Sequence, residues 1–504
     1  MIQQVLEQNK GGVGILTLFS FRKDGHRGEK LPLKKFVKTC LMITLLGGLC
    51  GSYSNSDYLK NMRNPLVSNI LIYLYHSSSD VAETLMSQPS DEIFFLQKNR
   101  AFSSNPADVK NEYPLVHDFP AKTCAKKKLL SRASQVLCQA GASQPNILLI
   151  LMESMRAHEI GVLGSKLGLT PQFDQWSKKG ILYTNFFANG YQTRHGILAS
   201  YCSVFPNYGL PVLPNYEHNH FFCLPHALNL EGYQTLWGFG SDAGFDNQIH
   251  VIPHFGFGSM FDELAFPSGS KRLGWGYSDH DLFQVWLERL NSLQKPFFSS
   301  VLTITNHHPY DVPKQYQKFP EDSIHHKYYN ALSYSDDALG HFLAQASKQE
   351  WYDNTLIFIT ADSSSYQKAD FAPKTEIDNI RLLSRIPLLI VGGKITEAHV
   401  VDDFHSQVDL APTILDLISR SRSVPWVGKS MLFRPREEAS LAYTNRPGNY
   451  WAIMSQSGAF FRSSGRDHSV GLDEKTKSYY QALGRSWIQV TKWLLQEDRI
   501  WPQE

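Results

Sequence analysis

The sequence predicts an α/β protein with a mostly parallel central sheet that is flanked by helices on both faces. Three apolar runs, Asn146–Leu151, Phe297–Ile304 and Leu356–Thr360, support this prediction. Each run is short, rich in branched or aromatic side chains, and bounded by turn-forming or polar residues, as is typical of a buried strand in a parallel sheet. Ile386–Val391 has the same character, and we expect it to be a further parallel neighbour.

Polar side chains follow three of these strands directly. Glu153 comes after the first strand, His307 after the second and Asp362 after the third. Ligands of open α/β sheets bind outside the carboxyl ends of the strands, so we expect these side chains to converge at one edge. A lone carboxylate there can be a helix cap or an ion-pair partner, whereas three polar residues together favour a functional site.

Composition limits the classes of function. The chain has 504 residues, of which 42% are hydrophobic and 19% charged, so it can form one large domain and an appendage. Its formal net charge of +2 gives no electrostatic argument for a nucleic-acid partner. Any special partner must therefore be argued from local sequence.

The N-terminal part contains a membrane signal. Residues 1–35 are basic, and residues 36–56 contain the uncharged run Thr39–Ser56 after a cluster of lysines. We interpret residues 36–56 as a transmembrane anchor or a signal segment, and both interpretations place the bulk of the chain outside the cytoplasm. The alternative is a buried core helix of a soluble protein.

Residues 57–144 are predicted to form a linker arm. Pro65–Tyr75 is hydrophobic but too short to span a bilayer, so we expect a short interfacial helix there. The lysine cluster at Lys126–Lys128 either touches anionic lipid or is solvated. The main domain is expected over residues 145–435 and a small C-terminal subdomain over residues 436–504.

Within the main domain, several local patterns predict the remaining elements. Thr170-Pro171 opens a short helix, and Ile181–Phe187 is a second strand. Thr193, in a glycine-flanked loop, is expected at a helix N-cap, where free N–H groups favour an anion such as a phosphate. Tyr328–Ser347 is predicted to be helical, and His405–Ile418 to be a loop that enters a helix at Pro412.

The C-terminal subdomain has its own signals. Tyr450–Ser455 and Gly458–Arg462 are expected to pair as a hairpin. Glu474–Gln496 has aromatic and aliphatic residues at helical spacing, which predicts an amphipathic helix whose aromatic face packs on the domain.

Four cysteines fall into two pairs in the region expected to be exported. Cys124/Cys138 and Cys202/Cys223 are candidates for disulfides, since an oxidising compartment allows them. A bond between the second pair would close the loop after the helix of Thr193. The alternative is that these cysteines are free and buried.

Five blocks occur in a fixed order: the first strand with its carboxylate, the loop of Thr193, TITNHHPY, YSDDALGHFL with YDNTLIFITAD, and SQVDLAPTILDLI. This order resembles the alkaline phosphatase/sulfatase superfamily, and within it the lipoteichoic acid synthase-like, phosphoglycerol transferase-type branch. The resemblance covers residues 145–435. It implies a sulfatase-like fold and a metal-dependent threonine nucleophile.

The resemblance also implies roles for individual residues. Glu153, Thr193 and Asp362 correspond to metal ligands, Thr193 to the nucleophile and His307 to the histidine that contacts the transferring phosphate. The neighbouring His308 is the alternative to His307. Oxygen ligands favour one divalent ion, Mn²⁺ or Mg²⁺. Arg194 and His195 flank the nucleophile and are candidates for phosphate contacts, the alternative being that they face solvent.

The sequence departs from the family pattern at one metal position. Ser363 stands where the family has histidine after the aspartate, so one metal bond is expected to be lost or weakened. His405, or the cluster of His218, His220 and His226, are candidates to replace it.

A second departure concerns the head group. The run Asp246-Asn247-Gln248 in Gly240–Gln248 stands where phosphoglycerol-binding members have a Trp-Asn-Arg-like run, and the Trp and Arg are missing. This departure weakly favours a head group other than phosphoglycerol.

The resemblance therefore predicts an envelope phosphotransferase that moves a phosphoglycerol- or phosphoethanolamine-type group through a phosphothreonine. The alternatives are a phosphodiesterase or other hydrolase on the same fold, and a pseudoenzyme that serves as an envelope-binding module. The predicted partners are a lipid-linked phosphate donor, an envelope glycan or lipid acceptor, and the membrane. The predicted location is the cell membrane, with the catalytic domain on the periplasmic or extracytoplasmic side.

Overall fold

The computed structural model of the chain describes residues 89–98, 112–120, 124, 130–206, 216–365, 373–432, 441–446 and 450–502. The predicted anchor or signal segment, the interfacial helix and the lysine cluster lie outside these ranges. Within them, none of the helices combines the length and the hydrophobicity needed to cross a bilayer.

An eight-stranded sheet forms the centre of the fold. In spatial order its strands are His399–Ser406 (β11), Ile181–Phe187 (β3), Arg385–Gly392 (β10), Thr355–Ala361 (β9), Asn146–Met152 (β2), Phe297–Leu302 (β8), Gln234–Phe239 (β4) and Ser259–Phe261 (β5). Every residue of β2, β8 and β9 is buried, because helices cover both faces of the central sheet. The predicted fold class is confirmed.

The α-helices of the described residues are Ser90–Lys98 (α1), Arg132–Gly141 (α2), Pro171–Ser177 (α3), Thr193–Cys202 (α4), Leu224–Asn229 (α5), Gln248–His254 (α6), Asp279–Leu290 (α7), Ile324–Ala346 (α8), Glu376–Ser384 (α9), Leu410–Leu417 (α10) and Glu474–Gln496 (α11). The helix that was expected at Tyr328–Ser347 is α8, which begins four residues earlier because Ser323 caps it: the Ser323 hydroxyl accepts the N–H of His326.

The three strands that end in polar residues are parallel neighbours. β2 lies between β8 and β9, and Leu151 is opposite Leu302 on one side and Thr360 on the other. The chain therefore leaves all three strands at the same edge of the sheet. This edge, which we call the site edge, is where Glu153, His307 and Asp362 follow.

The strand β10 runs in the opposite direction to our expectation. It pairs antiparallel with both β9 and β3, so Arg385 lies at the site edge and Gly392 lies opposite Leu356 at the far edge. The sequence did not reveal this because a buried strand is apolar whichever way it runs.

Two element boundaries also differ from the prediction. Thr193 is the first residue of α4, and Gln192 is the N-cap. His405 belongs to the edge strand β11, which pairs parallel with β3, and α10 begins at Leu410. Several residues of β11 are polar and partly exposed, as an edge strand allows, and this polarity resembles that of a loop.

The C-terminal subdomain contains the predicted hairpin and helix, which are confirmed. Tyr450–Ser455 (β14) and Gly458–Ser463 (β15) pair with Ser455 opposite Gly458, and two further strands, Ala442–Arg446 (β13) and Arg466–Val470 (β16), extend them to a four-stranded antiparallel sheet. The aromatic face of α11 packs on the protein: Trp487 meets the ring of Phe205 edge-on, with centroids 4.7 Å apart.

Parts of the predicted linker arm are folded onto the main domain and the C-terminal subdomain. His117–Phe119 (β1) pairs antiparallel with Arg422–Val424 (β12), and Phe95 of α1 lies 6.1 Å from Tyr479 of α11 between ring centroids. The helix α2 approaches α10 so closely that a β-carbon on Gly141 would lie 2.5 Å from the carbonyl oxygen of Leu417.

Both predicted cysteine pairs are disulfides. Cys124 is bonded to Cys138, and Cys202, the last residue of α4, is bonded to Cys223, the N-cap of α5. The second bond joins α4 to α5 behind the site edge. Such bonds persist in oxidising compartments.

Candidate active site

Glu153 lies just beyond the end of β2 and is 4% exposed. Its backbone N–H donates to the Thr303 hydroxyl oxygen at 2.8 Å, which ties it to the end of β8. The Ser154 hydroxyl donates to Glu153 Oε1 at 2.7 Å. The carboxylate is therefore held in place from two sides.

Asp362 lies beyond the end of the neighbouring strand β9 and is fully buried. Its Oδ1 accepts the backbone N–H of Ser154 at 2.8 Å, so the segments that follow β2 and β9 are joined through this side chain. The sequence predicts that Glu153 and Asp362 lie at one edge of the sheet, and the structure brings them together at the site edge.

Thr193 approaches both carboxylates from the N-terminus of α4. Its hydroxyl donates to Glu153 Oε2 at 3.4 Å and is also within hydrogen-bonding reach of the Asp362 side chain. Gly196 makes this approach possible, since a β-carbon there would lie 1.8 Å from the Asp362 carbonyl oxygen. The helix end can therefore pack directly on the backbone beside Asp362.

Burial dominates the electrostatics of the two carboxylates. It raises the pKa of Glu153 to about 7, although hydrogen bonds from Ser154 and Thr193 act in the opposite direction. Burial, and then the nearby charge of Glu153, raise the pKa of Asp362 well above its usual range. The other principal causes of the two shifts are hydrogen bonds and neighbouring carboxylates, and no basic side chain is among these principal causes.

This donor set fits a divalent cation. Glu153, Asp362 and Thr193 present carboxylate and hydroxyl oxygens, which are the ligands that Mn²⁺ and Mg²⁺ prefer. Two buried like charges without a basic partner are also the arrangement that a cation stabilises. Their roles as ligands, and that of Thr193 as nucleophile, stay predictions.

His307 lines a cavity of about 210 Å³ together with Glu153 and Thr193. The other lining residues are Phe239, Ser241, Asp242, Phe245, Gln248, Trp275, Leu302 and Ile304. His307 Nδ1 donates to the carbonyl oxygen of His308 at 2.8 Å, which leaves Nε2 for a proton or a ligand. The His308 ring instead meets Tyr310, with centroids 5.8 Å apart.

The guanidinium of Arg194 is paired with other side chains, so its charge is not available to a phosphate. Its guanidinium donates to the Gln192 side chain and to Asp246 Oδ1, the latter at 3.1 Å. The structure thus connects the loop that leads to Thr193 with the run that departs from the family pattern.

His195 is buried and stabilises the loop before Thr193 through a hydrogen bond to its backbone. It is 2% exposed, and its Nδ1 accepts the backbone N–H of Tyr191 at 3.4 Å. Burial, together with the charge of Arg194, lowers the pKa of His195 to about 3, so the imidazole is neutral. Neither of the two predictions for His195, a direct phosphate contact and a side chain that faces solvent, agrees with this placement.

None of the histidines predicted to replace the missing ligand forms a metal-binding group with Glu153 and Asp362 among the described residues. His405 is on β11, separated from β9 by two strands, and its ring meets Tyr183 edge-on. His220 pairs with Asp498 at 2.6 Å. His226 stacks on Phe222, and His218 is exposed beside Glu217.

Ser363 itself is buried beside the Asp362 carboxylate. Its hydroxyl lies 3.5 Å from Asp362 Oδ2, a long and weak hydrogen bond. The departure at this position is therefore not compensated by a histidine from elsewhere in the described part of the chain.

Sequence reasoning missed Trp275. It lies between Gly274 and Gly276 in the turn that joins Arg272–Leu273 (β6) to Gly276–Tyr277 (β7). Its ring packs on His307, with centroids 4.5 Å apart. A tryptophan between two glycines in a polar stretch was the available signal, since a large aromatic side chain in a tight turn has little structural reason to be there.

Comparison with known proteins finds a family profile and sequence relatives that match this chain. The Sulfatase family profile matches residues 145–419. The lipoteichoic acid synthase-like protein YvgJ of Bacillus subtilis is 25% identical over 296 residues, which cover 54% of this chain and 47% of that protein. The chain thus spans about half the length of the curated relatives it matches. The resemblance inferred from the sequence blocks is confirmed.

Two solved structures share the fold. A protein of the alkaline phosphatase superfamily from Vibrio parahaemolyticus has a TM-score of 0.66 and 24% identity, over 83% of this chain and 98% of that one. The lipoteichoic acid synthase LtaP from Listeria monocytogenes has a TM-score of 0.61 and 19% identity, over 75% and 98%. At this identity the likeness establishes the fold alone.

Proposed function

Since the chain belongs to the sulfatase family, we propose that it is a metal-dependent envelope phosphotransferase that acts through a phosphothreonine at Thr193. The observation that carries the proposal is the position of the Thr193 hydroxyl, between two buried carboxylates and on the wall of a cavity that His307 also lines. The donor would be a phospholipid and the transferred part its phosphate-linked head group.

The first step is a displacement at phosphorus. The Thr193 oxygen forms the new P–O bond, and the bond from phosphorus to the lipid alcohol breaks. Thr193 loses a proton and the leaving oxygen gains one, so the step is neutral in protons. His307, through Nε2, donates that proton or a hydrogen bond to the departing oxygen.

The remaining residues of the site position and activate the groups that react in this step. Glu153, Asp362 and Thr193 would hold the divalent ion, which when bound lowers the pKa of the hydroxyl and offsets phosphoryl charge. The N-terminus of α4 adds backbone N–H groups close to Thr193, where negative charge gathers. Ser154 and Thr303 keep Glu153 in position.

The cavity favours a head group that carries a cation. Asp242 is a carboxylate on its lining, and the rings of Phe245 and Trp275 are aromatic surfaces of the kind that attract ammonium groups. Arg194, the basic residue beside the nucleophile, is already paired with Asp246. These features support phosphoethanolamine-type over phosphoglycerol-type transfer.

The proposal includes a place in the cell. Two disulfides in the described residues suit a compartment outside the cytoplasm, and the predicted N-terminal segment would bring the domain to the membrane surface where a lipid donor lies. An envelope glycan or lipid would then accept the group from Thr193.

Mass spectrometry of the intact chain tests this function. Incubation with Mn²⁺ and phosphatidylethanolamine is expected to add one phosphoethanolamine to Thr193, and phosphatidylglycerol is expected to give less adduct. Thr193→Ala should carry none and should lose transfer activity about a thousandfold or more. Equal turnover of Thr193→Ala and the parent on both donors would overturn the proposal.

Ser363 supports one alternative, a pseudoenzyme that keeps the fold as an envelope-binding module. The pseudoenzyme alternative predicts that the purified chain holds no divalent ion and that a chelator leaves the thermal unfolding of the chain unchanged. Release of free head group to water without transfer to any acceptor would instead favour the hydrolase.

A further inference from the structure

A second cluster of metal-binding side chains lies between α7 and α8. His280 is the second residue of α7, while Asp337 and His341 lie one turn apart on the same face of α8. One ligand atom from each of the three residues lies within 4.8 Å of the others. We propose that these three residues form a binding site for a borderline transition-metal ion, of which Zn²⁺ is the representative.

The distances suit a single ion. His280 Nε2 lies 3.1 Å from Asp337 Oδ2, and His341 Nδ1 lies 3.5 Å from the same oxygen. Ligands bonded at ordinary Zn–N and Zn–O lengths in a tetrahedron are about 3.3 Å apart. The three atoms therefore need only small side-chain adjustments to share one centre.

Among the described residues, Nε2 of His280 makes no hydrogen bond to a group outside the cluster. In this part of the chain, Nε2 is buried and faces Asp337 Oδ2, which belongs to another of the proposed ligands, without a well-aligned hydrogen bond. The ring is held by Tyr334, which it meets edge-on with centroids 4.9 Å apart.

The site is open to an ion from solvent. The side chains of His280, Asp337 and His341 are 25%, 33% and 61% exposed, and a cavity of about 130 Å³ lies beside the two histidines. His341 Nδ1 also lies 2.9 Å from the Asp337 carbonyl oxygen, a contact that a bound ion would replace.

The ligand chemistry distinguishes this cluster from the candidate active site. Two imidazoles and a carboxylate favour Zn²⁺ over Mg²⁺, whereas the oxygen ligands at Thr193 favour Mg²⁺ or Mn²⁺. The two sites can therefore be measured separately, and the new site does not depend on the proposed function.

The position of the cluster suggests a structural effect. His280 follows Asp279, whose Oδ1 accepts the backbone N–H groups of Ile304 and Thr305, each at 3.0 Å. Those residues begin the segment that carries His307. An ion that joins α7 to α8 would therefore stabilise the start of α7 and the segment it holds.

Zinc binding to the full chain tests the proposal. The double variant Glu153→Gln/Asp362→Asn removes both carboxylate charges of the candidate active site, and after chelator treatment and dialysis against Zn²⁺ with excess Mg²⁺ it should retain about one Zn²⁺ per chain. Adding His341→Gln should weaken that binding about a hundredfold and abolish the Zn²⁺-dependent rise in melting temperature.

His326→Gln is the matched control. His326 pairs with Asp322 at the same i,i+4 spacing near the start of α8, at 2.6 Å, so this variant removes a similar pair and should keep the Zn²⁺. If the double variant does not fold, the same loss of one Zn²⁺ is expected when His341→Gln is made in the parent. Equal Zn²⁺ content with and without His341, or no Zn²⁺ in the folded double variant, would overturn the proposal.

Discussion

Gly196 and Asp362 are in direct contact, and this contact sets the distance between the Thr193 hydroxyl and the carboxylates. A β-carbon on Gly196 would lie 1.8 Å from the Asp362 carbonyl oxygen, far inside van der Waals distance. The oxygen belongs to the residue that directly follows β9, a strand buried along its whole length, so it cannot move away easily. The first turn of α4 can therefore pack against the site edge because Gly196 has no side chain.

Gly196→Ala should consequently damage both stability and activity. We expect a loss of about 3 kcal/mol in the free energy of unfolding, because the overlap forces α4 away from β9. Thr193 moves with the helix, so transfer activity should fall further than the folded fraction does. Urea unfolding and adduct formation measure the two effects. Gly269→Ala, at an exposed position where a β-carbon meets no atom within 4 Å, should change neither.

Asp362 and Ser363 should differ sharply in their importance for metal binding. Asp362→Asn removes a buried charge from the donor set, and we expect Mn²⁺ affinity to fall about a hundredfold. Ser363 contributes only a 3.5 Å contact to Asp362 Oδ2, so Ser363→Ala should change the affinity about threefold or less. Isothermal titration calorimetry on both variants measures this. A larger loss in Ser363→Ala would instead make Ser363 a ligand.

His307 should be separable from its neighbour His308 by kinetics. His307 lines the cavity of Thr193, and His308 does not. His307→Gln should lower the rate of transfer about a hundredfold or more at saturating donor, since it removes the proton donor for the leaving oxygen. His308→Gln should stay within about threefold of the parent, because its ring only packs on Tyr310. The reverse order would exclude His307 from the chemistry.

His195 should make the protein sensitive to mild acid. The folded state holds the pKa of this buried imidazole at about 3, below the ordinary value of 6.5, so the unfolded state binds the proton more tightly. Its contribution to stability is therefore complete above the ordinary value and is lost as the pH falls below it, by about 1.4 kcal/mol per pH unit.

Urea unfolding between about pH 7.5 and pH 5 measures this slope. His195→Gln should be less stable at neutral pH but flatter with pH than the parent. His218→Gln is the control, since the His218 side chain is 93% exposed and should leave the slope unchanged. Parallel curves for the parent and His195→Gln would show that His195 is not buried as a neutral group.

Local sequence was enough to identify the central strands and the residues that follow them. Burial on both faces requires a continuous apolar run, and the end of that run is visible wherever a carboxylate such as Glu153 or Asp362 follows it. The hairpin and α11 were predictable for the same reason, because turn residues and helical periodicity are local signals.

The tertiary structure decided the features that depend on contacts between distant segments. The antiparallel direction of β10 has no local signature, since the same apolar residues serve either direction. Trp275 reaches His307, and His280 reaches His341, only because the sheet and helices bring separate segments together. Sequence alone thus determined which residues end the buried strands, whereas packing across the fold decided which side chains surround them.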